Sequence, residues 1–200
     1  MSKLSRLGSG SSTRSIYGGF VKWKKGNNKD GSDSYAQQLA KKDYWKDLRM
    51  IICITSRKQK KIKSRKGMKL SVNTSPIYAC WLKSIVKDLN SIEKSIKNKD
   101  FTLLGKTSEH NCLKMHALMI SSQPSLIYWN SNTLKLIKLV KKLRDNNLEC
   151  YFTIDAGPQV KVLCLKQNLN KIKNELKNHS KKLIISKPGP GARTVNKDLF

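Results

Sequence analysis

The sequence predicts an α+β protein in which a mostly antiparallel sheet has helices packed on one face. Two observations predict it. Apolar residues recur every three or four positions through the middle of the chain, as in helices, and short continuous apolar runs on either side suit buried strands. The two kinds of segment mix without strict β–α–β alternation, and the chain shows no internal repeat.

The elements follow in order. The opening is rich in Gly and Ser through Ser12, and "STRSIYGGFVKW" leads from a short helix into Gly18-Gly19 and an extended aromatic segment. Polar residues from Lys24 to Ser34 read as a loop, and "SYAQQLAKKDYWKDLR" reads as weakly helical. "MIICIT", Met50 to Thr55, is a buried strand, followed by a basic loop from Ser56 to Lys69. Ile77, Trp81, Ile85, Leu89, Ile92 and Ile96 then mark one long amphipathic helix, with Pro76 in its first turn and Ser75 as its N-cap. A second helix runs from Phe101 to Ile120, and a third starts near Ser131 and carries Leu134, Ile137, Val140 and Leu143. "CYFTID" and "VKVLCL" form a pair of strands across an Ala-Gly-Pro turn. A helix through Leu169, Ile172 and Leu176 and the strand "KLIIS" come next, and "KPGPGARTV" lies over the surface as a loop.

Lys and Arg total 41 against 13 Asp and Glu in 200 residues, a net charge of +28. Such an excess makes nucleic acid, an anionic membrane surface or a polyanionic small molecule a plausible partner. The lysines are scattered among Ile, Leu and Asn, with no aromatic stacking platform, so any nucleic-acid binding is expected to be non-specific. A coding bias toward Lys, Asn and Ile is the alternative. Five cysteines, none in Cys-x-x-Cys, argue against a complete disulfide framework and for a reducing compartment. No apolar run approaches the roughly 18–20 residues of a membrane span, and "MSKLSRLGSGSS" lacks a signal-peptide core, so a cytoplasmic protein without a membrane partner is expected.

Four features bear on chemistry. In "YFTIDAGPQV" an apolar run delivers one acid, Asp155, onto a tight turn, where it either bonds its own turn amides or acts as a base. "RLGSGSSTRS" sets Gly8 and Gly10 before a helix start, with Ser9, Ser11 and Ser12 among them, a pattern that suits an oxyanion or a flexible linker. It is neither a P-loop nor a Gly-x-Gly-x-x-Gly fingerprint. Arg14, one turn on, makes a surface salt bridge or grips a carboxylate or phosphate through two parallel bonds. Cys112 and His116 stand four apart on a helix, but nothing completes a metal site, so a packed or hydrogen-bonded histidine is expected and no metal ligand is assigned. No nucleophile triad is present.

"GSGSSTRSIYGGFVKW", "SRKGMKLSVNTSPIY", "EHNCLKMHALMI", "YFTIDAGPQVKVL" and "SKPGPGA" come in the order and approximate spacing of the mevalonate diphosphate decarboxylases. The sequence resembles their bacterial form from Leu4 onward. The family belongs to the superfamily of galactokinase, homoserine kinase and mevalonate kinase. The resemblance implies the C-terminal portion of that superfamily's fold, completed in the family by an N-terminal α/β part like that of ribosomal protein S5. It implies residues 1–56 as a remnant of the N-terminal, anion-binding domain, 57–74 as a basic connecting loop, and 75–200 as the C-terminal α+β domain. It further implies ATP-dependent decarboxylation of mevalonate 5-diphosphate to isopentenyl diphosphate, with ATP and Mg2+ as cofactors and a homodimer. Phosphorylation turns a tertiary hydroxyl, a poor leaving group, into one that can depart.

By the same resemblance Asp155 faces the 3-hydroxyl as a base and Arg14 grips the C1 carboxylate. Ser9, Gly10 and Ser11 lie near substrate and nucleotide phosphate, and Ser71 meets the substrate diphosphate. Gln159 departs from the family's usual Asn after "DAGP". The family's Gly-rich phosphate loop has no counterpart ahead of the first matching block, so a shortened, split or decayed chain is the expectation, with its own activity open. The competing expectation is a non-catalytic basic protein, or a related kinase or a decarboxylase of the monophosphate.

Overall fold

The computed structural model describes residues 1–194 of the chain. They form two compact units: Met1–Lys46 with the segment that starts at Lys187, and Asp47–Ser186.

In the first unit, helix α1 (Ser2–Gly8) and the single turn α2 (Ser12–Ser15) precede strands β1 (Phe20–Trp23) and β2 (Ala36–Ala40), which pair antiparallel. The Pro/Gly-rich segment after Lys187 runs along Ile16–Gly19, where Gly19 N–H donates to Gly189 O at 2.9 Å and Ala192 N–H to Ile16 O at 3.2 Å. A side chain on Gly18 would meet the Gly191 backbone at 2.5 Å, so this pair of segments requires glycine there. Between β1 and β2 the loop is tied by Asp33, which accepts from the Asn27 N–H at 2.6 Å and the Asn28 N–H at 3.1 Å.

The second unit is a four-stranded antiparallel sheet in the order β4-β5-β3-β6, with β3 (Leu48–Ile54), β4 (Cys150–Thr153), β5 (Val160–Leu165) and β6 (Lys182–Ser186). Its register pairs Ile51 with Val162 and Phe152 with Val162, so alternate residues of three strands share one face. That face carries Ile51, Cys53, Phe152, Val160 and Val162, all fully buried. Helices α6 (Ser131–Asp145) and α7 (Leu169–Lys177) cover it with Leu136, Val140, Ile172 and Leu176. The expected α+β arrangement, helices on one face of an antiparallel sheet, is what the chain adopts.

Helix α3 (Ser64–Thr74), the 21-residue α4 (Tyr78–Asn98) and α5 (Phe101–Ile120) complete the unit. Two start signals are supplied by side chains. Asp100 accepts from the Leu103 N–H at 2.9 Å ahead of α5, and Asn130 with Thr133 forms a capping box ahead of α6.

Several expectations are corrected. The segment 57–74 is a loop only in its first part, because Ser64–Thr74 is helical. Ser75 closes α3 with its N–H on Ser71 O at 3.0 Å, and α4 begins at Tyr78 with no side-chain cap. "AQQLA", read as weakly helical, is strand β2, and α1 replaces part of the expected Gly/Ser-rich opening. The boundary after Lys46, in place of residue 56, follows from β3: it is an interior strand of the large sheet and cannot be parted from it.

Candidate functional site

Strand β4 ends at Thr153, and the chain turns at Asp155–Pro158 into β5. Gly157 sits at φ +96°, a backbone conformation that a side chain would strain, and Pro158 follows it. Phe152 and Ile154 point into the core, so strand alternation sends Asp155 to the opposite face. Lys161 shares that face, because it stands opposite Thr153 in the hairpin register. The two side chains form an ion pair, Lys161 Nζ to Asp155 Oδ2. The Asp155 side chain is 85% exposed and that of Lys161 25%. No turn amide donates to Asp155 among the described residues, so its carboxylate faces solvent with a cation beside it and does not cap the turn.

The turn is held from both sides. Gln159 accepts from the Thr55 N–H at 2.6 Å and donates to Ser56 O at 2.5 Å, which fixes the turn to the end of β3. Pro158 O accepts from the Thr133 hydroxyl at 2.8 Å and from the Thr55 hydroxyl at 3.1 Å. Behind it, Cys112 and His116 of α5 contact the backbone of Ile154: the Ile154 N–H donates to Cys112 Sγ at 3.1 Å, and His116 Nε2 lies 3.4 Å from Ile154 O. The expectation of a hydrogen-bonded histidine therefore holds. His116 is 3% exposed, and burial pulls its pKa below the ordinary 6.5, so it is neutral near pH 7. Burial pushes the Cys112 thiol up to about 11.

A pocket of about 330 Å³ adjoins the turn at Pro158. Lys58, Lys60 and Lys61 line it together with Ser56, Tyr128 and Asn130. Tyr128 packs over Gly157, and its buried hydroxyl has no hydrogen-bond partner. Lys60 Nζ lies 5.6 Å from the centre of the Tyr128 ring. Neither this lysine cluster nor Lys161 was singled out from the sequence. Lys161 was within reach, since an acid two residues past a strand position faces the residue paired with that position.

The other expected residues are placed as follows. Arg14 lies exposed on α2, in the first unit, whereas Asp155 lies in the second. Ser9 and Ser11 share a hydrogen bond of 3.1 Å between their hydroxyls, and Gly10 packs so tightly on Trp23 that a Cβ would meet the ring at 2.8 Å. Helix α2 has a single turn and no side-chain cap, so it offers little dipole to an anion. Ser71 is fully buried, and its hydroxyl accepts from Ser122 at 2.9 Å. The bond uses Ser71 as acceptor and leaves its hydroxyl proton free to be donated.

The family model for the mevalonate 5-diphosphate decarboxylase C-terminal domain matches residues 50–191, and the model for the diphosphomevalonate decarboxylase-like N-terminal domain matches residues 1–36. The chain belongs to the mevalonate diphosphate decarboxylase family. Within this family, the diphosphomevalonate decarboxylase of Candida albicans is 33% identical over 180 residues, which cover 90% of this chain and 50% of the relative. The Staphylococcus aureus mevalonate diphosphate decarboxylase structure is 40% identical, with a TM-score of 0.88, over 95% of this chain and 58% of that one. The protein designated MDDEF, solved with MVAPP, AMPPCP and magnesium, is 41% identical, with a TM-score of 0.88, over 95% of this chain and 58% of its own. The chain thus spans about half the length of the curated relatives it matches. Among the described residues no helix is long and apolar enough to cross a membrane.

The donors around the pocket fit the phosphates of such a nucleotide: three ammonium groups, two serine hydroxyls and two side-chain amides are donors suited to an oxyanion. They do not make a metal cage. Among the described residues no three His, Cys, Asp or Glu side chains could hold a metal ion.

Proposed function

We propose that the chain serves the ATP-dependent decarboxylation of mevalonate 5-diphosphate to isopentenyl diphosphate, with Asp155 as the base at the 3-hydroxyl. The observation that carries this is Asp155 itself: an exposed carboxylate on a strand end whose backbone is held from two sides, with no bond to its own turn. A base must sit within hydrogen-bond reach of the proton it takes, and a fixed strand end provides that better than a free loop.

Asp155 accepts the proton of the 3-hydroxyl, and Lys161 beside it balances the charge while the carboxylate is ionised. When bound, ATP supplies the phosphoryl group that makes the hydroxyl oxygen able to leave. Lys58, Lys60 and Lys61 are the residues that would hold the nucleotide phosphates. For Arg14, Ser9 and Ser11 the support is the family resemblance alone: Arg14 has an exposed guanidinium whose fork matches a carboxylate, and Ser9 and Ser11 offer hydroxyl groups. Ser71, buried against Ser122, contributes by fixing α3 unless substrate draws it away.

The test compares Asp155→Asn with the unaltered chain, supplied with mevalonate 5-diphosphate, ATP and magnesium, and follows ADP and carbon dioxide. Turnover is expected to fall at least about a hundredfold with unchanged melting, within the usual range for loss of a general base. Near-normal turnover would remove Asp155 from the chemistry. A second readout needs no turnover: titrating mevalonate 5-diphosphate should shift the amide resonances of Ala156 and Gln159, and unmoved resonances would sink the assignment of this site.

A further inference from the structure

Strand β4 lies at the edge of its sheet, with β5 on one side only. Its outward N–H and C=O groups therefore lack a strand partner, and they need one because the strand is buried. Side chains supply it. Arg144 donates to Cys150 O at 2.8 Å, and Glu109 accepts from the Phe152 N–H at 3.1 Å. Arg144 and Glu109 lock each other through two bonds of 3.0 and 3.1 Å. Cys112 comes next, taking the Ile154 N–H at 3.1 Å while its own thiol points to Ile154 O at 3.4 Å. Glu109 and Cys112 are three residues apart on α5, so they follow the edge of β4 in the way a neighbouring strand would.

This ladder ends one residue before Asp155. We infer that Cys112 is a positioning residue for Asp155, holding both backbone polar groups of Ile154 and so the direction in which the next side chain leaves the strand. The inference rests on the assignment of Asp155 as the base. A thiol suits this place because it accepts and donates at once and, staying protonated, brings no charge into a buried site. His116 cannot replace it fully. Its Nε2 accepts from Trp129 Nε1 at 3.3 Å only when it bears no proton, and it donates to Ile154 O only when it does.

The experiment compares Cys112→Val, which keeps the volume and loses the polar contacts, with Cys112→Ser, which keeps a donor and an acceptor. In the full chain, backbone relaxation at Asp155 should change from rigid, with an order parameter near about 0.85, to flexible, below about 0.6, in Cys112→Val only. Turnover should fall at least about tenfold with KM within about twofold in Cys112→Val, and Cys112→Ser should restore most of it. An Asp155 that stays rigid in a folded Cys112→Val chain overturns the inference, as does unchanged turnover with a mobile Asp155 in a chain that Asp155→Asn inactivates. If Asp155 loosens while Asp155→Asn is fully active, the positional claim stands and the assignment of the base falls.

Discussion

Gln159 reaches from the Asp155 turn to two consecutive backbone groups, the Thr55 N–H and Ser56 O. An Asn there is one methylene shorter and cannot span the same gap unless the turn moves. Gln159→Asn is expected to cost about 1–2 kcal/mol, the loss of one to two net hydrogen bonds, measured by denaturant unfolding. A second expectation concerns His116. Its pKa is lowered in the folded state by burial, so the unfolded chain binds the proton more readily. Stability should therefore be complete above the ordinary value of 6.5 and decline as the pH falls below it, and His116→Gln should flatten that slope. Asp155 was legible in the sequence because a lone acid between an apolar run and Ala-Gly-Pro is conspicuous. Its partners were not. Thr55, Ser56 and Cys112 lie 40 or more residues away along the chain, and no local pattern announces such bonds.

Helix α5 approaches β4 closely because Gly105 faces Tyr151: a Cβ there would lie 1.9 Å from the ring. Gly105→Ala should force the helix away from the strand and destabilise the protein by about 1–3 kcal/mol, seen as a lower melting temperature, while Tyr151→Leu in the same chain should recover part of the loss. Helix α6 could be read from sequence because it carries a core-facing apolar period in Ile137, Val140 and Leu143, whereas the period that marks α4 is buried only at Ile96 and exposed at Leu89. Helix α3 carries none, since its buried residues are Gly67 and Ser71, and its lysines read as a loop. Strand β2 was missed for a related reason: of its residues only Ala36 is buried, and its pairing with β1 is set by partners such as Phe20 opposite Ala40. Propensity yields to non-local pairing in such short segments.

Across the whole molecule the positive charge far exceeds what the acids can balance, with a net of +28. Self-repulsion among the lysines opposes the compact state, so added salt should raise the melting temperature, and an insensitive melting curve would show the charges to be too widely spaced to matter. The cysteines divide sharply. Cys53, Cys112, Cys150 and Cys164 are buried, and Cys80 is exposed. A thiol reagent should label one cysteine quickly in the native protein and all five after unfolding. Burial raises Cys150 to about 12 and Cys53 and Cys164 to about 11. The unfolded chain therefore loses these protons first, and stability should decrease as the pH climbs from the ordinary 9.0 toward 11. The family was legible from five sequence blocks, whereas the division into units was not, because it depends on a return of the chain after Lys187 that only the folded backbone reveals.

The thiol of Cys112 is an S–H group within hydrogen-bond distance of Ile154 O, one residue from the proposed base. The S–H stretch absorbs in a part of the infrared spectrum where proteins are otherwise nearly transparent. The chain therefore contains a built-in optical gauge beside its candidate site, and the difference spectrum between it and Cys112→Ser isolates that band. Any ligand that tightens or slackens the strand end should move the band's frequency, without a label or a probe having been introduced.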